Sequence, residues 1–321
     1  MKKSIFIFAI YSLISFANAA WYSTGADGNW SDASTWKNYE IPDSTTDTGI
    51  DLYNKVILDT ETTVGNIFMK PIDAPTYIAI VDGGKLNANA VANDGNADAR
   101  FILESGGTLV INTFNSNAIV DFAGGKLETS QNINTGNNVS WTFGANDTNG
   151  NFVAAVANSS YAPNKQNFNA TTNFRFNLAN SNLLNANDET TLLENAFIRS
   201  DNEIEFHNSG DVYPQALLDF SNIDLSVLEV GVEYTVSLIG MAKVNYHKDV
   251  EPVFSYIVEE DSKIAMTYGE TYFYNDLEFS INRDSNYKYY YLTMTYVPEP
   301  STYAAIFGVS ALLFVAYRRR K

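Results

Sequence analysis

The side chains able to do chemistry in this chain are carboxylates, a few arginines and two histidines, with no thiol beside them. Thirty-seven Asp and Glu stand against 20 Lys and Arg, and cysteine is absent. Asp82, Asp94, Asp98, Asp121 and Glu128 lie near Gly-rich corners, where a pair for glycoside hydrolysis would sit. Such a pair needs carboxyl groups ~5–9.5 Å apart across a glycosidic bond. Among so many acidic residues proximity is uninformative, and no pair stands out. A lyase acting on uronates would instead want clustered cations. Arg100, Arg175, Arg199 and Arg283 read as scattered, on a strongly acidic background. His207 and His247 have no nucleophile pattern nearby, and no Gly-x-Ser-x-Gly, P-loop or His-Glu-x-x-His occurs. Two His without Cys exclude the usual structural zinc sites. Calcium is the one ion suggested, by Asp27-Gly28-Asn29 with Asp32, Asn93-Asp94-Gly95-Asn96 with Asp98, and Asn146-Asp147 with Asn149-Gly150-Asn151. None has the EF-hand or nonapeptide spacing, and turn chemistry alone accounts for them. The expectation is therefore no catalytic residue and no cofactor.

The elements that must position these groups read as β-strands. Lys55–Leu58, Tyr77–Val81, Arg100–Leu103 and Thr108–Ile111 are short, apolar and bounded by Gly, Asn and Asp. Gly83-Gly84-Lys85-Leu86, Gly106-Gly107-Thr108-Leu109 and Gly124-Gly125-Lys126-Leu127 repeat a Gly-Gly-x-Leu pattern at intervals of 23 and 18 residues. A strand, a diglycine corner and a second strand, returning after about twenty residues, suit one coil of a solenoid. The predicted fold is all-β: a right-handed parallel β-helix over 46–214, after a Trp-rich cap over 20–45. The alternative is an antiparallel β-sandwich with Gly-Gly marking hairpins. Trp21, Trp30 and Trp36 would cover the first coil, or else offer a sugar-stacking platform. Beyond 215 the strands lengthen, and alternation in Val232–Ile239 and Tyr289–Tyr296 predicts an antiparallel β cap over 215–296.

The two ends are more specific. Lys2 and Lys3 precede an apolar run from Ile5 to Phe16 and then Ala17-Asn18-Ala19. This is the pattern of a signal peptide, over 1–19, with Ala17 and Ala19 at the small-residue positions of the cleavage site. At the other end, Val297-Pro298-Glu299-Pro300-Ser301-Thr302 leads into an almost wholly apolar segment to Tyr317, then Arg318, Arg319, Arg320 and Lys321. Sixteen helical residues would span about 24 Å at ~1.5 Å per residue, a short transmembrane helix. The basic stop would stay cytoplasmic and leave the body outside.

Motif, span and basic end together, over 297–321, resemble the PEP-CTERM tail of exported proteins of Gram-negative bacteria. The resemblance implies recognition of Val297, Pro298, Glu299 and Pro300 by an exosortase, which would remove or exchange the tail, and a link to exopolysaccharide and biofilm. Between the termini 14 basic residues face 37 acidic ones, a formal charge of −23. Such a surface repels nucleic acid and anionic membrane. The expected protein is thus exported by signal peptidase and exosortase, anchored through its C-terminus at least transiently, then held at the cell surface or released. It is expected to be structural or adhesive, with exopolysaccharide or other surface proteins as partners. A carbohydrate-active enzyme or a sugar-binding module is the alternative.

Overall fold

The computed structural model describes residues 21–42, 49–70, 76–93, 99–243, 250–259, 262–298 and 309. Among them the fold is all-β, with one short α-helix, Glu189–Asn195. From the first strand the chain alternates between two sheets. One receives Trp21–Ser23, Gly49–Leu52, Glu61–Met69, Lys85–Asn93, Thr108–Ser116 and Lys126–Thr135; the other receives Gly28–Asn29, Val56–Leu58, Thr76–Ile80, Ala99–Glu104, Ile119–Ala123 and Ser140–Phe143. Every neighbouring pair in these two runs is parallel. The sandwich alternative, with antiparallel hairpins at Gly-Gly, is therefore not what forms.

The diglycine corners explain the stacking. Gly83, Gly106 and Gly124 have φ of +79°, +81° and +87°, a region that L side chains rarely adopt. The glycine after each is required for a different reason, contact with the coil below. A Cβ on Gly84 would lie 2.2 Å from the Leu58 carbonyl oxygen, and one on Gly107 2.0 Å from that of Ile80. The corners are also bonded to one another: the Thr108 N–H donates to the Gly84 carbonyl at 3.0 Å, and the Lys126 N–H to that of Gly107 at 3.0 Å. Leu86, Leu109 and Leu127 follow the corners in register and are all buried.

Parallel pairing in register places like positions one strand spacing apart, about 4.8 Å. Inward residues thus form ladders along the stack. In the second sheet one ladder runs Val56, Ile78, Phe101, Val120, Trp141, Phe174, Ala216, Phe254. Its neighbour contains Phe122, Phe143 and Phe176, with rings stacked at 4.6 Å and 5.0 Å. Trp141 is fully buried against Phe114, Phe122 and Phe168 at 5.4–5.8 Å. In the first sheet Gln166 occupies an inward position between Ile133 and Ile204. Its amide is satisfied by Ser160 Oγ at 3.2 Å and the Arg199 carbonyl at 2.6 Å, so burial is tolerated.

The parallel stack runs further than the change of texture near 215 predicts. Gln215–Asn222 and Val253–Glu259 still pair in parallel with the strands before them. Apart from the short hairpin of Ala145–Asn146 and Phe152–Val153, the antiparallel strand pairs among the described residues lie at the far edge, where Glu233–Met241, Tyr289–Tyr296, Leu277–Arg283 and Tyr272–Tyr274 close one sheet and Ser262–Ala265 closes the other. No helix among the described residues is long and apolar enough to cross a membrane. The signal segment with Ala17 and Ala19, the expected span except Val309, Glu299, Pro300, and Arg318, Arg319, Arg320 and Lys321 lie outside the described residues.

The corner geometry sets a measurable contrast. Gly107→Ala, which drives a methyl into the Ile80 carbonyl, is expected to destabilise by about 3 kcal/mol. Gly150 has a positive φ (+83°), which Gly107 lacks, but nothing lies within 4 Å of its Cβ position, and Gly150→Ala is expected to cost about 1 kcal/mol. Urea unfolding midpoints measure both, and equal losses would show that the contact with the Ile80 carbonyl costs no more than a positive φ in open space.

Candidate groove on the second sheet

The outer face of the second sheet carries a concave groove of about 580 Å³. Its floor crosses five neighbouring strands: Ala99–Glu104, Ile119–Ala123, Ser140–Phe143, Asn173–Ala179 and Gln215–Asn222. Asp121, Thr142 and Arg175 are aligned across three of these, each placed outward by inward neighbours such as Phe122, Phe143 and Phe176. One wall is an insertion, the hairpin formed by Ala145–Asn146 and Phe152–Val153. Gly144 starts the departure from the coil with φ +79°, and a Cβ there would lie 2.5 Å from the Asn177 carbonyl. The hairpin is tied back to the body, since the Thr148 N–H donates to Glu104 Oε1 at 2.7 Å.

Two ion pairs lie in the groove. Arg100 reaches Asp121 Oδ2 at 3.0 Å, and Arg175 Nη2 reaches Asp219 Oδ2 at 2.5 Å. The second pair belongs to a chain of hydrogen bonds: Arg175 Nε donates to Asn177 Oδ1 at 2.8 Å, and Asn177 Nδ2 to the Gly144 carbonyl at 2.5 Å. The guanidinium groups remain about half exposed, while both carboxylates are largely covered. Burial pushes the Asp121 carboxyl up, against the opposing pull of Arg100 and a hydrogen bond with Thr142. Burial also opposes ionisation of Asp219, but the Ser221 backbone N–H, the Ser221 side chain and Arg175 together hold it below its ordinary value. Asp147, in the hairpin turn, is held low chiefly by the Asn151 N–H, and its Oδ1 also accepts from the Asn149 N–H.

A protonated Asp121 could donate a proton, but Asp219, the other ion-paired carboxylate of the floor, does not lie beside it. Asp121 aligns with Leu217 three strands away, two residues short of Asp219. At about 4.8 Å per strand, the two backbones are ~14 Å apart before that offset is added. Of the other acidic candidates, Asp82 is an exposed corner residue, Glu128 lies on the other sheet, and Asp94 and Asp98 lie outside the described residues. His207 is an exposed neighbour of Glu205 at 3.7 Å, and His247 lies outside the described residues. In the first oxygen-rich turn the carboxylates accept from backbone, Asp27 Oδ1 from the Lys55 N–H of the next coil and Asp32 Oδ1 from the Ser34 N–H, both at 2.9 Å. Among the described residues no group of three or more His, Asp or Glu is arranged to hold a metal ion. Trp30 and Trp36 are buried edge to face at 5.0 Å, whereas Trp21 is 55 % exposed over Gly49.

The groove is the feature that sequence reading missed. Arg100 and Arg175 look unrelated along the chain, yet only two strands separate theirs in the sheet. The remaining arginines conform to the scattered reading: Arg199 pairs with Asp201 on the first sheet, and Arg283 with Glu251 near the far edge. The available signal was the outward position of Asp121 within an otherwise apolar strand, Ile119–Ala123.

The two aspartates predict opposite pH behaviour. The folded Asp219 binds its proton less readily than the unfolded chain does, so its stabilisation is present above the unfolded value of ~3.9 and is lost as pH falls through the lower folded value. The folded Asp121 binds its proton more readily, so its contribution declines as pH rises above ~3.9 through the raised folded value. Asp219→Asn should therefore flatten the acid loss of stability, and Asp121→Asn should gain relative to wild type as pH rises from about 3.5 to 6. Unfolding free energies measured across that range test both signs, and parallel curves for all three proteins would contradict the assignment.

No protein-family model matches the chain, and comparisons with curated proteins and with solved structures return no match.

Proposed function

We propose that this chain is a non-enzymatic exported surface or extracellular-matrix protein, structural or adhesive in role, with a right-handed parallel β-helix as its body. The carrying observation is the state of the groove, where Arg100 is paired with Asp121, Arg175 with Asp219, and Asp147 is engaged by its own turn. Groups held in this way suit binding and rigidity better than proton transfer. The outer face of the first sheet supports the same reading, because it carries amide ladders rather than a reactive cluster. Asn112 Nδ2 donates to Asn89 Oδ1 at 2.9 Å, Ser130 Oγ to Asn112 Oδ1 at 2.8 Å, and Asn167 Nδ2 to Asn134 Oδ1 at 2.6 Å.

Sorting by an exosortase-type system belongs to the proposal, with signal peptidase acting at the other end. The final strand, Tyr289–Tyr296, runs directly into the motif. The Val297 N–H donates to the Asp276 carbonyl at 2.8 Å, and Pro298 is buried. An enzyme that reads Pro298 must therefore first loosen this edge of the body. Replacing Pro298, Glu299 and Pro300 with Ala is expected to leave the full-length chain uncleaved and in the membrane fraction, while the native chain is processed. Assays on a broad glycan panel are expected to yield no product. Turnover that disappears with Asp121→Asn would overturn the non-enzymatic reading, and identical processing of both chains would overturn the sorting role.

A further inference from the structure

We propose that the groove on the second sheet is a binding site for an extended, neutral oligosaccharide. This deepens the adhesive reading above and rests on it. The argument is one of chemical elimination. The lining carries two cations, Arg100 and Arg175, and three anions, Asp121, Asp147 and Asp219. That balance disfavours uronates, phosphates and other anions. Arginines alternate with the carboxylates across the floor, which disfavours a divalent cation as well. Apolar lining is confined to Ile102, Ala145 and Phe152, too little for a lipid or an apolar peptide.

What remains is an uncharged ligand rich in groups that both donate and accept. Sugar hydroxyls have that property. The half-exposed guanidinium groups supply donors, the carboxylates supply acceptors, and Thr142, Asn146, Asn177 and Asn222 supply both. The charged groups stand on paired strands and are bonded to one another, Arg100 to Asp121 and Arg175 to Asp219 and Asn177, so little of their side-chain freedom is lost on binding. Phe152 adds one aromatic ring on the hairpin wall. Five strands give four spacings, about 19 Å of floor, which suits a chain of several sugars running along the stack better than a single sugar.

The test uses the full-length protein in detergent and calorimetric titration with xylohexaose, cellohexaose, mannohexaose and maltohexaose, with hexagalacturonate as the acidic probe. At least one neutral probe is expected to bind, with hexagalacturonate at least tenfold weaker. Phe152→Ala and Arg175→Gln are each expected to weaken binding at least tenfold. Asn112→Ala, on the other sheet, should leave it unchanged. Thermal unfolding shows whether each variant is folded, and two groove variants on different elements guard against the loss of one. Preference for hexagalacturonate, binding indifferent to both groove variants, or no neutral binding at millimolar concentration would overturn the site. Binding followed by release of shorter sugars would support the site while overturning the non-enzymatic reading. Absent binding with normal processing of the tail would overturn the site alone.

Discussion

The contact between a second corner glycine and the carbonyl of the coil below is the constraint on which the rest of this structure depends. At Gly107 a single methyl would sit 2.0 Å from the Ile80 oxygen. Because the backbones approach so closely, the Thr108 and Lys126 N–H groups reach the glycine carbonyls of the preceding coils. The corners thereby fix the height of each coil, and that height puts Leu86, Leu109 and Leu127 in one column. A column of identical residues is the cheapest way to fill a repeated cross-section, since each side chain meets a neighbour of its own shape.

The same repeat distance governs the aromatic core. Rings carried by adjacent parallel strands meet at about the strand spacing of 4.8 Å, close to the 4.6 Å and 5.0 Å separations along Phe122, Phe143 and Phe176. Early coils fill these positions with Val56, Leu58, Ile78 and Ile80, and later coils with Phe and Trp. Trp141 contributes a large apolar surface, although its indole N–H has no partner among the described residues. Removing a buried Trp side chain costs about 3–5 kcal/mol, against about 1–3 kcal/mol for one unsatisfied donor, so packing decides the residue here. Absent disulfides, this stacking is what holds the middle coils together.

Legibility in the sequence followed these two constraints. The strands around the diglycine corners were readable because a rigid corner demands glycine twice and a column demands Leu at a fixed offset. Past Thr135 the corners lose their diglycines and the coils lengthen. Asn134 meets Asn167 across 33 residues and Arg175 meets Asp219 across 44, against 23 and 18 in the earlier coils. Gln166 then occupies a core position, so the apolar pattern is broken although the stack is not. Near 215 longer strands suggest a new sheet, but strand length does not determine pairing direction, and Gln215–Asn222 continues in parallel. Alternation in Val232–Ile239 and Tyr289–Tyr296 predicts antiparallel sheet, and Glu233–Met241 does pair antiparallel with Tyr289–Tyr296, although the first of these strands is buried on both faces from Thr235 onward.

The groove arises from the irregularity that hid it. A uniform solenoid has flat outer faces, since every coil places its outward residues at the same height. Here one coil departs at Gly144 into a hairpin before resuming, and the hairpin raises a wall beside strands that otherwise continue in register. Asp121 lies in the groove beside this wall, and burial pushes its carboxyl up, while Asp219, met by Ser221 and Arg175, is held down. Residue identity alone would make the two aspartates equivalent. Their difference comes from what surrounds each: burial at Asp121, beside a five-residue turn between two paired dipeptides that Glu104 and Asn177 tie to the body, and the Ser221 and Arg175 bonds at Asp219. A repeating scaffold thus acquires an individual surface by interrupting the repeat at one coil, while the ladders beneath preserve the fold.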